Sequence, residues 1–179
     1  MKSCSNRNRP RTSLLKDSPN EAKRYALKLI SIRPRSRREL HQRLLRRGYR
    51  DVTIRQVIQD LSEIGLINDA ALTEQLISYG LRDKGLGIRG LKELLHKRGI
   101  ERDLIENAGL EDIDEYPHAL KIAEKLKKRS SHIPADKLKR RIMGYLQRRG
   151  YSYDTIKEVV RRIGDPSSGN EKMSETDEI

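Results

Sequence analysis

Phenylalanine and tryptophan are absent from these 179 residues, and seven tyrosines are the only aromatic side chains. A single large core usually recruits aromatics, so several thin cores of Leu, Ile, Val and Ala are expected instead. Cys4 is the one cysteine, which excludes an internal disulfide framework and a thiolate metal site within the chain. No apolar run approaches the roughly 18–20 residues that a membrane span needs. Residues 1–20 are basic but lack the apolar stretch of a secretory signal. These absences lead to the expectation of a soluble protein in a reducing compartment, the cytoplasm; a monomer is expected. The acid-poor N-terminus leaves an organelle transit peptide as the alternative.

Catalytic patterns are missing as well. His41, His96, His118 and His132 have neither metal-ligand spacing nor regular partner carboxylates, and are expected to be solvated. Gly85-Leu86-Gly87 does not extend to a phosphate-binding loop and reads as a hinge. No nucleophile elbow or Cys/His pair occurs. The acidic stretch Glu111-Asp112-Ile113-Asp114-Glu115 reads as a solvated connector, and Asp69 as a helix N-cap. The expectation is a protein without catalysis, cofactor or metal.

What is present is positive charge. Lys and Arg total 39 against 26 Asp and Glu, a net charge of +13 with a sequence pI near 10.0. A field of this sign draws in polyanions. It is unevenly spread: residues 21–68 sum to +7, residues 69–112 to −2 and residues 113–166 to +7. The N-terminal residues 1–20 carry +4 and residues 167–179 carry −3.

A repeat underlies this division. Glycines at 48, 99 and 150 each follow a basic pair and lie 51 residues apart. The register extends to Leu40, Leu91 and Ile142, to Leu44, Leu95 and Leu146, and to Ile54, Ile105 and Ile156. Apolar positions recur at helical spacing and no strand-like alternation is sustained, so the chain reads as all-α. Each repeat is expected to hold three helices, as an elongated tandem array. The expected organisation is a disordered basic tail at 1–20, repeats at 21–68, 69–112 and 113–164, and a disordered acidic tail at 165–179.

Local signals set the helices. Asn20 is expected to cap a helix over 21–32 that Pro34 stops. Ser36 caps a second helix, and Gly48 suits the left-handed position past its end. Thr53 with Gln56, and Thr155 with Glu158, read as capping boxes opening the third helices of the outer repeats. Tyr49 and Tyr151 share a position with Ile100 and are expected in the core; Tyr153 is left open.

The candidate partner- or phosphate-binding residues are cations. Arg46 and Arg47, Lys97 and Arg98, and Arg148 and Arg149 precede the three glycines, although cations in a last helical turn also complement the helix dipole. Arg35, Arg37 and Arg38 sit at a helix start, where that dipole disfavours them. Lys137, Lys139, Arg140 and Arg141 crowd the early half of another helix. These two clusters are the preferred contacts.

Ser36-x-x-Glu39-Leu40 leading to Leu44-Leu45-Arg46-Arg47-Gly48 is similar to the first repeat of the RecX family. Gly65-Leu66-Ile67-Asn68-Asp69 resembles its junction, and Gly85 to Ile100 resembles its central signature. The resemblance covers about residues 21–164. Leu72 stands where the family commonly has Phe, and Gly90 lies inside the signature helix. The resemblance implies tandem three-helix repeats and binding to the RecA recombinase as a filament on DNA, with restraint of its recombinase, ATPase and coprotease activities. Direct contact with single- or double-stranded DNA is a further partner expectation, drawn from the basic outer repeats. The alternative is a DNA-binding protein using its repeats as helix-turn-helix modules, which requires an exposed recognition helix.

Overall fold

The computed structural model describes residues 18–164, residue 131 excepted. Nine α-helices appear among them: α1 (Pro19–Ile32), α2 (Arg37–Arg46), α3 (Asp51–Glu63), α4 (Asp69–Tyr79), α5 (Ile88–Lys97), α6 (Arg102–Glu106), α7 (Tyr116–Arg129), α8 (Ala135–Arg148) and α9 (Tyr153–Gly164). A π-helical turn, Gly80–Lys84, extends α4, and a 3₁₀ turn, Leu110–Asp112, precedes α7. No β-strand occurs among the described residues. The all-α reading holds. Residues 18–20, expected in the basic tail, instead form the cap and start of α1; the rest of both expected tails lies outside these residues.

The chain forms two compact units that divide between Leu72 and Thr73. In the first, α1, α2 and α3 pack pairwise around Ala22, Ala26, Leu40, Leu44, Tyr49, Ile54, Val57, Leu61 and Ile67. No side chain in this core is larger than tyrosine. In the second, α7, α8 and α9 pack around Ala119, Ala123, Ile142, Leu146, Tyr151, Ile156 and Val159. The same unit holds α5 and α6, with Leu91, Leu95, Ile100 and Ile105 buried. The repeat positions are therefore core positions: Leu40, Leu91, Ile142, Leu44, Leu95 and Leu146 are all fully buried.

The glycine punctuation has one cause at all three sites. Gly48, Gly99 and Gly150 have φ of 92°, 71° and 80°, a region that costs a residue with a Cβ. Each glycine N–H returns to a carbonyl of the last turn, at 2.9 to 3.0 Å, from Leu45, His96 and Gln147 respectively. The next residue, Tyr49, Ile100 or Tyr151, donates to Leu44, Leu95 or Leu146 at 3.1 to 3.3 Å. That pair of hydrogen bonds is the Schellman closure. It turns the following side chain inward, which is why Tyr49 and Tyr151 are core residues, 3% and 2% exposed.

The caps depart from expectation. Ser18, not Asn20, caps α1, accepting from the Glu21 N–H, and Pro19 occupies the first turn, where its missing donor costs nothing. Ser36 caps α2 as expected. The capping boxes do not form. α3 already begins at Asp51, Thr53 is buried and Gln56 donates forward to Asp60. In α9 the cap is Ser152, whose Oγ accepts from the Thr155 N–H at 3.2 Å. Asn68 caps α4, accepting from the Ala71 N–H at 3.0 Å.

Two acids instead cap helices far from them in sequence. Asp69, 8% exposed, accepts from the Arg37 N–H at 3.0 Å through Oδ1. It serves the start of α2, while the side-chain cap of its own helix is Asn68. Glu115, 7% exposed, accepts from the Ile88 N–H at 2.5 Å through Oε1 and from the Ser152 N–H at 3.0 Å through Oε2. One carboxylate thus satisfies the amino ends of both α5 and α9, each favourable to a negative charge. Glu115 is no part of a solvated connector.

Gly85-Leu86-Gly87 is a packing contact, not a free hinge. The Gly87 N–H donates to the Arg149 carbonyl at 3.0 Å and the Arg89 N–H to the Gly150 carbonyl at 3.1 Å. A Cβ on Gly87 would lie 2.6 Å from the Tyr151 Cα, and one on Gly90 would overlap the Arg149 carbonyl oxygen. Glycine at 87, 90 and 150 lets two backbones touch.

Candidate partner interface

Among the described residues there is no cluster of three or more metal-ligating side chains, and no helix is long and apolar enough to cross a membrane. The chemically distinctive surface is cationic.

The α2 cluster divides in two. Arg35 is buried, and its Nε donates to the Leu29 carbonyl at 3.0 Å, closing the end of α1. It belongs to the interior of the first unit and is not placed to meet an external anion. Arg37 and Arg38 are exposed in the first turn of α2. The dipole argument that singled them out is weakened by Asp69 and by Glu39, which place negative charge at the same helix end. Glu39 also holds Arg33 through two bonds, at 2.8 and 3.1 Å. Arg43 and Arg46 extend the exposed cationic surface along α2. Arg43 was not anticipated, although one helical turn separates it from Arg46.

The basic pairs split by position. Arg46, Lys97 and Arg148 are exposed. Arg47 lies over the Tyr25 ring, 5.5 Å from its centroid. Arg149 lies over Tyr145 at 5.2 Å, and its guanidinium donates to the Lys84 carbonyl. Arg98 is half-buried. The second cation is half-buried in the two later pairs, whereas Arg47 stays exposed while lying over Tyr25; the first cation faces solvent in all three. The repeat register contains this alternation, but only the helical phase of each pair reveals it.

On α8, Lys137, Arg140 and Arg141 are exposed, whereas Leu138, Ile142 and Leu146 face the core. Lys139 is half-buried beside the end of α9. The same repeat holds further exposed cations outside the original candidates: Lys127, Lys128 and Arg129 end α7, and Arg161 and Arg162 end α9. Their signal was two short basic runs.

The third helix of the first repeat has a different character. Its inner face holds Thr53, Ile54, Val57 and Leu61. Its outer face carries Asp51, Asp60 and Glu63 against Arg55. Asp51 takes a bond from His41 Nε2 at 2.6 Å and an ion pair with Arg55. The His41 bond is the main reason that its carboxyl is held below the ordinary aspartate value; desolvation opposes it, and Arg55 adds to the lowering. His41 therefore has a carboxylate partner, contrary to expectation. The groups a recognition helix would offer to bases are occupied within the helix: Gln56 donates to Asp60 at 2.8 Å and Gln59 to Glu63 at 3.0 Å.

Comparison with known proteins places this geometry. Residues 113–160 match the model of the third three-helix domain of RecX, and residues 22–61 match that of the first. The regulatory protein RecX of Mycobacterium avium (strain 104) is 34% identical over 143 residues, covering 78% of this chain and 83% of the relative. That of Chlorobium limicola is 34% identical over 150 residues, covering 82% and 91%. The crystal structure of RecX from Lactobacillus salivarius superposes with a TM-score of 0.70 at 26% identity, over 81% of this chain and 96% of that one. Tandem three-helix domains, the glycine-closed repeat and close relatives along most of its length agree: the chain belongs to the RecX family of regulatory proteins.

Proposed function

We propose that this chain binds the RecA recombinase assembled as a filament on DNA and restrains its recombinase, ATPase and coprotease activities without chemistry of its own. The observation that carries this reading is the placement of charge. Positive side chains lie on the outer surfaces of α2 and of α7 to α9, while residues 69–112 sum to −2. A protein that simply coats DNA spreads positive charge along its length. Here the near-neutral middle repeat suits contact with protein, and the basic outer repeats suit phosphate or acidic protein surface. Several modest contacts to one filament reinforce each other through effective concentration. If the bound geometry disfavours filament growth or ATP-driven rearrangement, inhibition follows from differential binding alone.

The helix-turn-helix alternative receives no support from α3, whose outer face is net acidic and internally paired. Acidic groups facing a phosphate backbone oppose docking.

The test compares binding to naked DNA with binding to preassembled recombinase filaments, at low and at physiological salt. Filaments are expected to be preferred at both, with the larger margin at physiological salt, where nonspecific phosphate binding falls steeply. A preference for naked duplex of defined sequence would reject the reading and restore the alternative.

A further inference from the structure

The third repeat carries a groove whose apolar floor the filament-binding reading does not use, although its rim shares the α7 and α9 cations. It opens between α7, the start of α8 and the end of α9, with a volume of about 720 Å³. Its floor is apolar, from Leu120, Ile133, Leu138 and Ile163, and its rim holds Lys127, Lys128 and Arg162. Glu124 is the one acid lining it.

Part of this positive charge answers to the two helix ends. A helix C-terminus carries about half a negative elementary charge, so two together amount to about one. Against that stand Lys127, Lys128 and Arg129 in the last turn of α7 and Arg161 and Arg162 in that of α9. Lys139 adds to them: a Cβ built on Gly164 would lie 3.1 Å from its Nζ. The cations outweigh the dipoles, and the groove favours an acidic occupant.

Residues 165–179 start where the groove ends. Arg162 and Ile163 line the groove, and Gly164 is the last residue of α9. The following segment carries Asp165, Glu171, Glu175, Asp177 and Glu178 against the single Lys172, with Met173 among them. We propose that this acidic segment docks in the groove of its own repeat, its carboxylates on the Lys127, Lys128 and Arg162 rim and Met173 over the apolar floor. An extended chain spans about 3.3 Å per residue, so residues 165–175 reach across the groove with length to spare. A tether this short supplies an effective concentration in the millimolar range, so weak individual contacts suffice. Docked, the segment covers cations otherwise open to an external polyanion. This inference does not depend on the identity of that polyanion.

The experiment places a nitroxide at residue 174 of the full chain, through Ser174→Cys in a Cys4→Ser background, and reads backbone amide line widths by NMR. Broadening is expected at Leu120, Ile133 and Ile163. In a second chain with Glu171→Gln, Glu175→Gln, Asp177→Asn and Glu178→Gln, it should weaken by about threefold or more, as it should for the acidic chain in molar salt, where charges are screened beyond about 3 Å. These substitutions lie outside the described helices, and an unchanged amide spectrum away from the groove checks the fold. Equal broadening with acidic and neutralised segments would overturn the proposal, because tethering alone would then account for it. So would broadening of the same size in a mixture of nitroxide-bearing and isotope-labelled chains, which would assign the groove to the segment of a second copy.

Discussion

A buried carboxylate that serves two helices at once concentrates stability in one side chain. Glu115 accepts from the Ile88 and Ser152 amides and, at 3.3 Å, from the Thr155 hydroxyl. Glu115→Ala leaves both helix starts short of an acceptor and is expected to cost about 2–4 kcal/mol, measured by denaturant unfolding. Glu115→Gln keeps one acceptor oxygen and should recover part of the loss. Nearby, the Tyr151 hydroxyl is buried with no hydrogen-bond partner among the described residues. Its pKa is pushed up to about 12, chiefly by burial and then by the Glu115 charge. A raised folded-state value means the neutral phenol favours the fold. Its contribution is complete below the unfolded value near 10 and is lost between about pH 10 and 12, at roughly 1.4 kcal/mol per pH unit. Tyr151→Phe should therefore match or exceed the native Tm at neutral pH and flatten its decline in alkali. An alkaline profile identical to that of the native chain would count against this account.

At the level of helices and turns, the same residue type takes opposite roles. Gly90, in α5, sits where a Cβ would overlap the Arg149 carbonyl oxygen, and a backbone carbonyl held in a loop cannot rotate away. Gly90→Ala is expected to destabilise by about 1–3 kcal/mol. Gly144 lies within α8, and a Cβ there meets the movable end of Arg148 at 3.3 Å. Gly144→Ala should raise stability by up to about 1 kcal/mol, because helical glycine carries an entropic penalty. Thermal unfolding of the two variants should move in opposite directions. The elements themselves were legible in the sequence: apolar spacing gave the helices, and glycine after a basic pair marked the ends of α2, α5 and α8. The caps were not. Asp69 lies 32 residues from the amide it serves and Glu115 lies 27 from Ile88, so their role depends on tertiary approach that no local window contains. Thr53 and Thr155 fit the capping pattern by spacing, yet Arg50 and Ser152, three residues earlier in each case, hold the cap positions. Gly87 reads as freedom in one dimension and proves to be contact in three.

For the molecule as a whole, charge is the property that bears on function, and composition located it only coarsely. The segment sums identified the basic repeats, but burial then removed Arg35 from the surface and packing engaged Arg47 and Arg149. The exposed remainder on α2 and α8 yields a sharper variant than the original clusters. Arg37, Arg38, Lys137 and Arg140 changed together to Glu should leave the circular dichroism spectrum intact. Filament inhibition should fall by about tenfold or more, since each lost phosphate contact also reduces the salt slope of binding by about one unit. Undiminished inhibition would move the interface to the α7 and α9 ends.

The backbone contact between Gly87 and Arg149 also governs how the polypeptide can be dissected. A fragment ending at Asp112 would strip Glu115 from the Ile88 amide and leave the Gly87 and Arg89 amides without the carbonyls that receive them. A fragment starting at Ile113 would uncover the Gly150 turn and leave Glu115 with one helix instead of two. The stretch from α5 to α9 should be expressed, labelled and transplanted as one piece.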